Sequence, residues 1–187
     1  MLKLSSISIV AFILLVSLPS HPASGEPYVD FGFGSHYTLR PSDDSKLRWV
    51  VQTEIGDEGF GFPVNLSFGD NLLILGLKPR AQTWFAPFQD APVSVGMGVG
   101  PVINFSRFAA NEGGFDINAK GIALGVQPSI QIKYQISSSV HLKVMPIAFD
   151  FMFWKYSKMK FAGQTLSGNN TSLDIVYQTM LSLSFTN

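Results

Sequence analysis

Gly121-Ile122-Ala123-Leu124-Gly125-Val126-Gln127-Pro128-Ser129-Ile130-Gln131-Ile132-Lys133-Tyr134 decides how the chain is read. Its even positions are apolar as far as Ile132 and aromatic at Tyr134, whereas its odd positions are small, amide-bearing or charged. Side chains of a β-strand point to opposite faces with a period of two, so this segment predicts one strand with an apolar face and a polar face. It is too long for an ordinary globular strand of about 5–6 residues. A tilted strand crossing a bilayer needs about 9–11.

The same pattern recurs on both sides. Val29, Phe31, Phe33, Tyr37 and Leu39 oppose Asp30, Gly32, Gly34, His36 and Thr38, and Leu47, Trp49, Val51 and Ile55 oppose Arg48, Val50, Gln52 and Glu54. Phe62–Phe68, Leu72–Phe85, Val93–Phe105, a run starting at Val140 and Leu173–Phe185 complete eight strands. No segment of helical period separates them, which excludes an α/β fold. The expectation is an all-β chain, an eight-stranded antiparallel transmembrane up-and-down β-barrel with apolar faces toward lipid. A soluble barrel with an apolar interior is the competing arrangement. It fits poorly, because the apolar faces are larger and more continuous than a small barrel interior can hold.

Composition narrows the function classes. Charged residues make up 14% of the 187, against roughly 25% in soluble domains, and 16 Phe raise the aromatic content to 13%. A formal charge of +0 supplies no basic field for nucleic acid, and the absence of Cys removes disulfides, Cys-ligated metal sites and a lipoprotein anchor. No His pair or carboxylate cluster has the spacing of metal ligands. The first residues read as a secretory leader: Lys3, an apolar run from Ile7 to Leu18, Pro19, then Ala23-Ser24-Gly25. The expected division is a signal peptide over 1–25 and a barrel domain over 26–187.

Segments between strands alternate in length. Gly56–Gly59, Ala86–Ala91 and Ile136–Ser139 are short and are assigned to the periplasm. Pro41–Lys46, Gly69–Asn71, Phe108–Lys120 and Lys155–Asn170 are assigned to external loops, of which the last two are long. Aromatics gather at the strand ends, with Tyr37, Trp49, Phe68, Phe105 and Trp154 at one rim and Phe85, Tyr134 and Phe185 at the other.

Over Tyr28 to Phe185 the pattern resembles the small eight-stranded outer-membrane proteins of Gram-negative bacteria, of the OmpX and OmpW type. Such chains end in a strand with a polar residue, a glycine and two aromatics. Here Gln178, Met180, Leu183 and Phe185 hold those places, with Met for glycine, Leu for one aromatic, and Thr186-Asn187 following. The resemblance implies an outer-membrane location and contact with membrane lipids and lipopolysaccharide. It also implies insertion by barrel-assembly machinery through the C-terminal strand. A monomer with no cofactor and no enzymatic activity is expected, with a lipid A-modifying acyl enzyme as the minor alternative. An OmpW-like barrel would further imply a lumen that takes a small hydrophobic molecule or lipid.

Candidate functional residues follow from the polar face. Asp30, Glu54, Lys133, His141 and Lys143 fall at the end of the short turns, Arg48 and Asp174 at the opposite end, and Lys78 and Arg80 between. They predict a charge network filling a narrow lumen, since an eight-stranded barrel is just wide enough for its own side chains. Inward Gly32, Gly34, Gly96, Gly98, Gly100, Gly121 and Gly125 either leave a cavity or relieve crowding where strands bend, and both readings stand at this stage. Inward Val50, Leu72, Ile74, Val102, Met145, Val176 and Met180 either pack a core or line an apolar site. His36, Ser172 and Asp174 have the chemistry of an acyl-transfer triad, without a flanking motif. The lysines Lys155, Lys158 and Lys160 lie in an external segment where lipopolysaccharide phosphates are expected.

One parity conflict predicts a structural irregularity. Val140, Leu142 and Val144 are apolar on one parity, and Phe149, Phe151 and Phe153 on the other. A bulge near Pro146 restores a single lipid face and turns Asp150 inward, toward Arg48 or Arg80.

Overall fold

The computed structural model describes residues 25–40, 46–69, 71–87, 92–112, 115–161 and 164–186. The leader expected over 1–25 therefore lies outside the described residues except for Gly25, as do most of Pro41–Lys46 and part of Ala86–Ala91. Ten strands are formed: β1 (Tyr28–Arg40), β2 (Leu47–Gly56), β3 (Phe60–Gly69), β4 (Leu72–Leu77), β5 (Arg80–Phe85), β6 (Val93–Glu112), β7 (Phe115–Gln135), β8 (Val140–Phe161), β9 (Gln164–Asn170) and β10 (Asp174–Thr186). All pairings are antiparallel, and β10 pairs with both β8 and β1, which closes the sheet. β4 and β5 are halves of one barrel strand, because both pair with β3 on one side and β6 on the other. β9 pairs with β8 beyond the barrel wall. Eight strands therefore make the barrel, as the alternation predicts.

The interior is polar and the exterior apolar, the reverse of a soluble protein. Asp30, Glu54, Lys78, Arg80, Gln131, Asp150 and Gln178 are among the most deeply buried side chains. Phe31, Phe33, Leu47, Trp49, Ile55, Met97, Ile132, Leu181 and Phe185 are exposed. An exposed apolar surface of this continuity is a membrane-facing surface. The soluble-barrel arrangement is thereby excluded.

Two bulges re-aim side chains, and a third irregularity breaks a ladder without changing its parity. In β8, Pro146 and Ile147 lie opposite the single residue Thr179, since Met145 pairs with Met180 and Ala148 with Gln178. This is the expected bulge. The Tyr177 hydroxyl donates to the Pro146 carbonyl at 2.6 Å and holds it. Phe149 packs between Phe151 and Tyr177 on the outer wall, and Asp150 is buried inside. A second bulge, at Phe153, has no counterpart in the alternation: Gly125 pairs with Met152 and Leu124 with Trp154. It turns Trp154 outward and Lys155 inward. The third irregularity is the break at Lys78-Pro79, where proline supplies no amide to the ladder.

Two lumen glycines sit against these irregularities. A Cβ at Gly100 would collide with the Pro79 carbonyl, and one at Gly125 with the Phe151 carbonyl beside the second bulge. Gly96 is crowded differently, by the Trp84 ring at 2.7 Å. Crowding, not a cavity, explains these positions. Gly100→Ala should cost about 1–3 kcal/mol, read as a lower urea midpoint of the refolded protein. Gly168, which has nothing within 4 Å of such a Cβ, should tolerate alanine.

The segments assigned to long external loops are corrected. β6 and β7 stay paired as far as Glu112 and Phe115, and β8 and β9 as far as Phe161 and Gln164. Phe108–Lys120 and Lys155–Asn170 are therefore hairpin arms, and β6, β7, β8 and β9 continue past the barrel as one exposed four-stranded sheet. At the opposite end the connections are short, as in the β2–β3 turn, where the Asp57 carboxylate accepts from the Gly59 and Phe60 amides. The tight β3–β4 turn uses Asn71 at φ 63°, a conformation asparagine tolerates.

Candidate functional site in the barrel lumen

The lumen is filled by two polar layers. The one nearer the short turns is centred on Glu54. Arg80 donates to its Oε2 at 2.5 Å, Lys143 to its Oε1 at 3.3 Å, the Tyr28 hydroxyl to Oε1 at 2.5 Å and Gln52 to Oε2 at 3.1 Å. Asp30 lies directly across from Glu54 in the β1–β2 register, and Lys143 donates to it as well. Two carboxylates side by side repel each other, and Lys143 and Arg80 are placed to offset that repulsion. Gln131 accepts from Arg80 at 3.2 Å, and Gln82 donates to the Tyr28 hydroxyl at 2.8 Å.

The second layer lies closer to the hairpin arms. Lys78 donates to Asp150 Oδ2 at 2.8 Å and to Gln178 Oε1 at 2.7 Å, and Gln127 donates to Asp150 Oδ1 at 2.6 Å. The expected partners of Asp150 are corrected: it meets Lys78, not Arg48 or Arg80. The inward parity of Lys78 and the bulge at Pro146 both follow from alternation, but the meeting of these two charges across the lumen does not. Val50, Met145, Ala148 and Met180 pack as a buried apolar cluster, so those inward apolar residues are core. Leu72, Ile74 and Val176 are half-buried toward the arm end.

The remaining candidates are placed as follows. Arg48 is buried and donates to Thr38 at 3.2 Å. Asp174 takes Lys155 at 2.6 Å near the arm end, half in contact with solvent. Lys133 and His141 line a cavity of about 350 Å³ at the short-turn mouth, together with Glu58, Trp84 and Lys143. Lys133 lies over the Trp84 ring at 4.8 Å from its centre. Sequence reasoning places Gln127 and Gln131 on the lumen face but does not single out Tyr28 or Trp84. The even parity of Trp84 with Arg80 and Gln82 is the signal that could have found it.

The structure does not assemble the triad His36, Ser172 and Asp174. His36 Nδ1 is bonded to Ser67 at 2.9 Å inside the barrel, Asp174 is engaged by Lys155, and Ser172 is exposed beyond the strand. His36 lies opposite Gln178, several residues from the end of β10 that holds Asp174.

No family model matches the chain, and no curated protein matches it in sequence. Solved structures do match its fold. Neisserial surface protein A superposes with a TM-score of 0.53 at 14% identity, over 86% of this chain and 97% of that one. A major outer membrane protein from Thermus thermophilus gives 0.53 at 10% identity, over 86% and 99%. The N-terminal β-barrel domain of Pseudomonas aeruginosa OprF gives 0.50 at 8% identity, over 86% and 99%. The fold is that of the small outer-membrane β-barrels.

Proposed function

We propose that the chain is an integral protein of a Gram-negative outer membrane, exported by a leader cleaved after Gly25, with a plugged lumen and a surface role carried by its external sheet. The short turns then face the periplasm and the hairpin arms face outward. The observation that carries this reading is the pair of ion-bonded layers, Asp30–Lys143–Glu54–Arg80 and Lys78–Asp150, which cross the lumen at two heights. A barrel closed twice by buried ion pairs is built for rigidity rather than permeation. The arms, by contrast, hold β9 exposed along its whole length.

Planar-bilayer recording of the refolded protein tests this. No steady ohmic conductance is expected; a stable open level in the unmodified protein would overturn the plug. A second reading, uptake of a small hydrophobic molecule, is favoured by half-buried Leu72, Ile74 and Val176 with buried Val102 and Met152 on the arm side of the Lys78–Asp150 layer. Alkyl-chain titration followed by loss of solvent access at Ile74 (as a single cysteine) would support it.

A further inference from the structure

The lysine trio of the sequence does not act as a unit. The bulge at Phe153 turns Lys155 inward to Asp174, while Lys158 and Lys160 remain on the outer face of the sheet. There they meet cations from two other strands. Arg107 of β6 pairs directly with Lys120 of β7, and Lys120 directly with Lys158 of β8. Lys160 stands one step farther out, opposite Asn118. All four are exposed, and none has a carboxylate within ion-pair distance among the described residues. Like charges directly opposite across strands are unfavourable. Three in one row with no interposed acid are a repulsion that a multivalent anion would relieve.

Depth identifies that anion. The next row toward the barrel is Phe105, Ile122 and Tyr156, paired to one another across the same three strands. These side chains, with Lys120, Ser106 and Gly121, line an outward-facing, largely apolar groove of about 270 Å³. Aromatic rings of this kind mark the membrane interface. The cation row thus lies two residue pairs above it, the next position on the same face, at the level of lipid phosphates, with an apolar groove directly beneath.

We propose that Arg107, Lys120, Lys158 and Lys160 form a docking site for the phosphates of the lipid A part of lipopolysaccharide in the outer leaflet, with the groove at Phe105, Ile122 and Tyr156 receiving its acyl root. This rests on the outer-membrane reading above and goes beyond it by naming a ligand class and its residues.

The test uses the full mature chain refolded into zwitterionic nanodiscs, with purified lipid A, dephosphorylated lipid A or phosphatidylglycerol added. Unmodified protein should bind lipid A more tightly than phosphatidylglycerol, should weaken with salt, and should lose binding when the phosphates are removed. K120Q/K158Q should weaken binding about thirty-fold, at roughly tenfold or less per surface cation. K46Q, which lies outside the row, should leave it unchanged. The proposal is overturned if K120Q/K158Q inserts normally and binds as before, if dephosphorylation has no effect, or if K46Q weakens binding equally. It is overturned as a lipid A site if phosphatidylglycerol binds as well. Circular dichroism in lipid A-free nanodiscs separates the two failures: a protein that does not insert there refutes the membrane reading itself, whereas one that inserts without binding refutes only the site.

Discussion

Glu54→Ala should lower the unfolding free energy by about 3–5 kcal/mol, the largest loss expected from any single lumen change. Glu54 is fully buried and is the acceptor for Arg80, Lys143, Tyr28 and Gln52. Its removal leaves two cations facing one carboxylate, Asp30, in a space closed to bulk solvent. Adding Arg80→Met to Glu54→Ala restores charge balance with the remaining Asp30–Lys143 pair, so the double variant should recover part of the loss. Urea unfolding of the four members of this cycle measures the coupling. Asp174→Ala is the contrast. Its partner Lys155 is 26% exposed, and an ion pair so placed contributes at most about 1 kcal/mol. Equal losses at Glu54 and Asp174 would show that the lumen is as wet as its mouth.

The second large effect concerns the outer wall. Ile130 lies midway along the barrel portion of β7, between Met97 and Ile147, and faces outward. Ile130→Arg should cost about 2–4 kcal/mol, the range for a cation at the bilayer midplane of a barrel. Leu124, the obvious target from alternation, lies opposite Trp154 and close to the aromatic rim, so Leu124→Arg should cost less. Ile122→Arg, at the level of Tyr156, should cost about 0–1 kcal/mol. Refolding equilibria in vesicles would give all three values. A penalty independent of depth would contradict a membrane around this wall.

These expectations separate what alternation reveals from what it hides. The period of two identifies the inner and outer face of each of the eight barrel strands, because one register slip moves a whole face. It also locates the bulge at Pro146, where large apolar residues change parity. It cannot place the bulge at Phe153, because Phe153 and Trp154 are both apolar and either parity suits an outer rim. Uninterrupted alternation from Phe149, Phe151 and Phe153 would therefore turn Lys155 outward and Lys158 and Lys160 inward, the reverse of where they lie. The arms escape it for a different reason. Gln164-Thr165-Leu166-Ser167-Gly168-Asn169-Asn170 has no apolar alternation, and it is a strand because its backbone pairs with β8. Lumen contacts between distant strands, such as Lys78 with Asp150, depend on how far each strand is staggered around the barrel. The face of each residue is legible; its partner across the lumen is not.

The three tryptophans test the central arrangement most directly. Trp49 and Trp154 lie on the outer wall, and Trp84 lies inside beneath Lys133 and Lys143. Each is left as the single tryptophan, with the other two changed to phenylalanine, and its fluorescence is followed in vesicles of brominated phospholipid. Polar-inside, apolar-outside packing in a membrane predicts strong quenching of Trp49 and Trp154 and little of Trp84. Quenching of Trp84 with protection of the other two would show that the wall and the lumen have been exchanged.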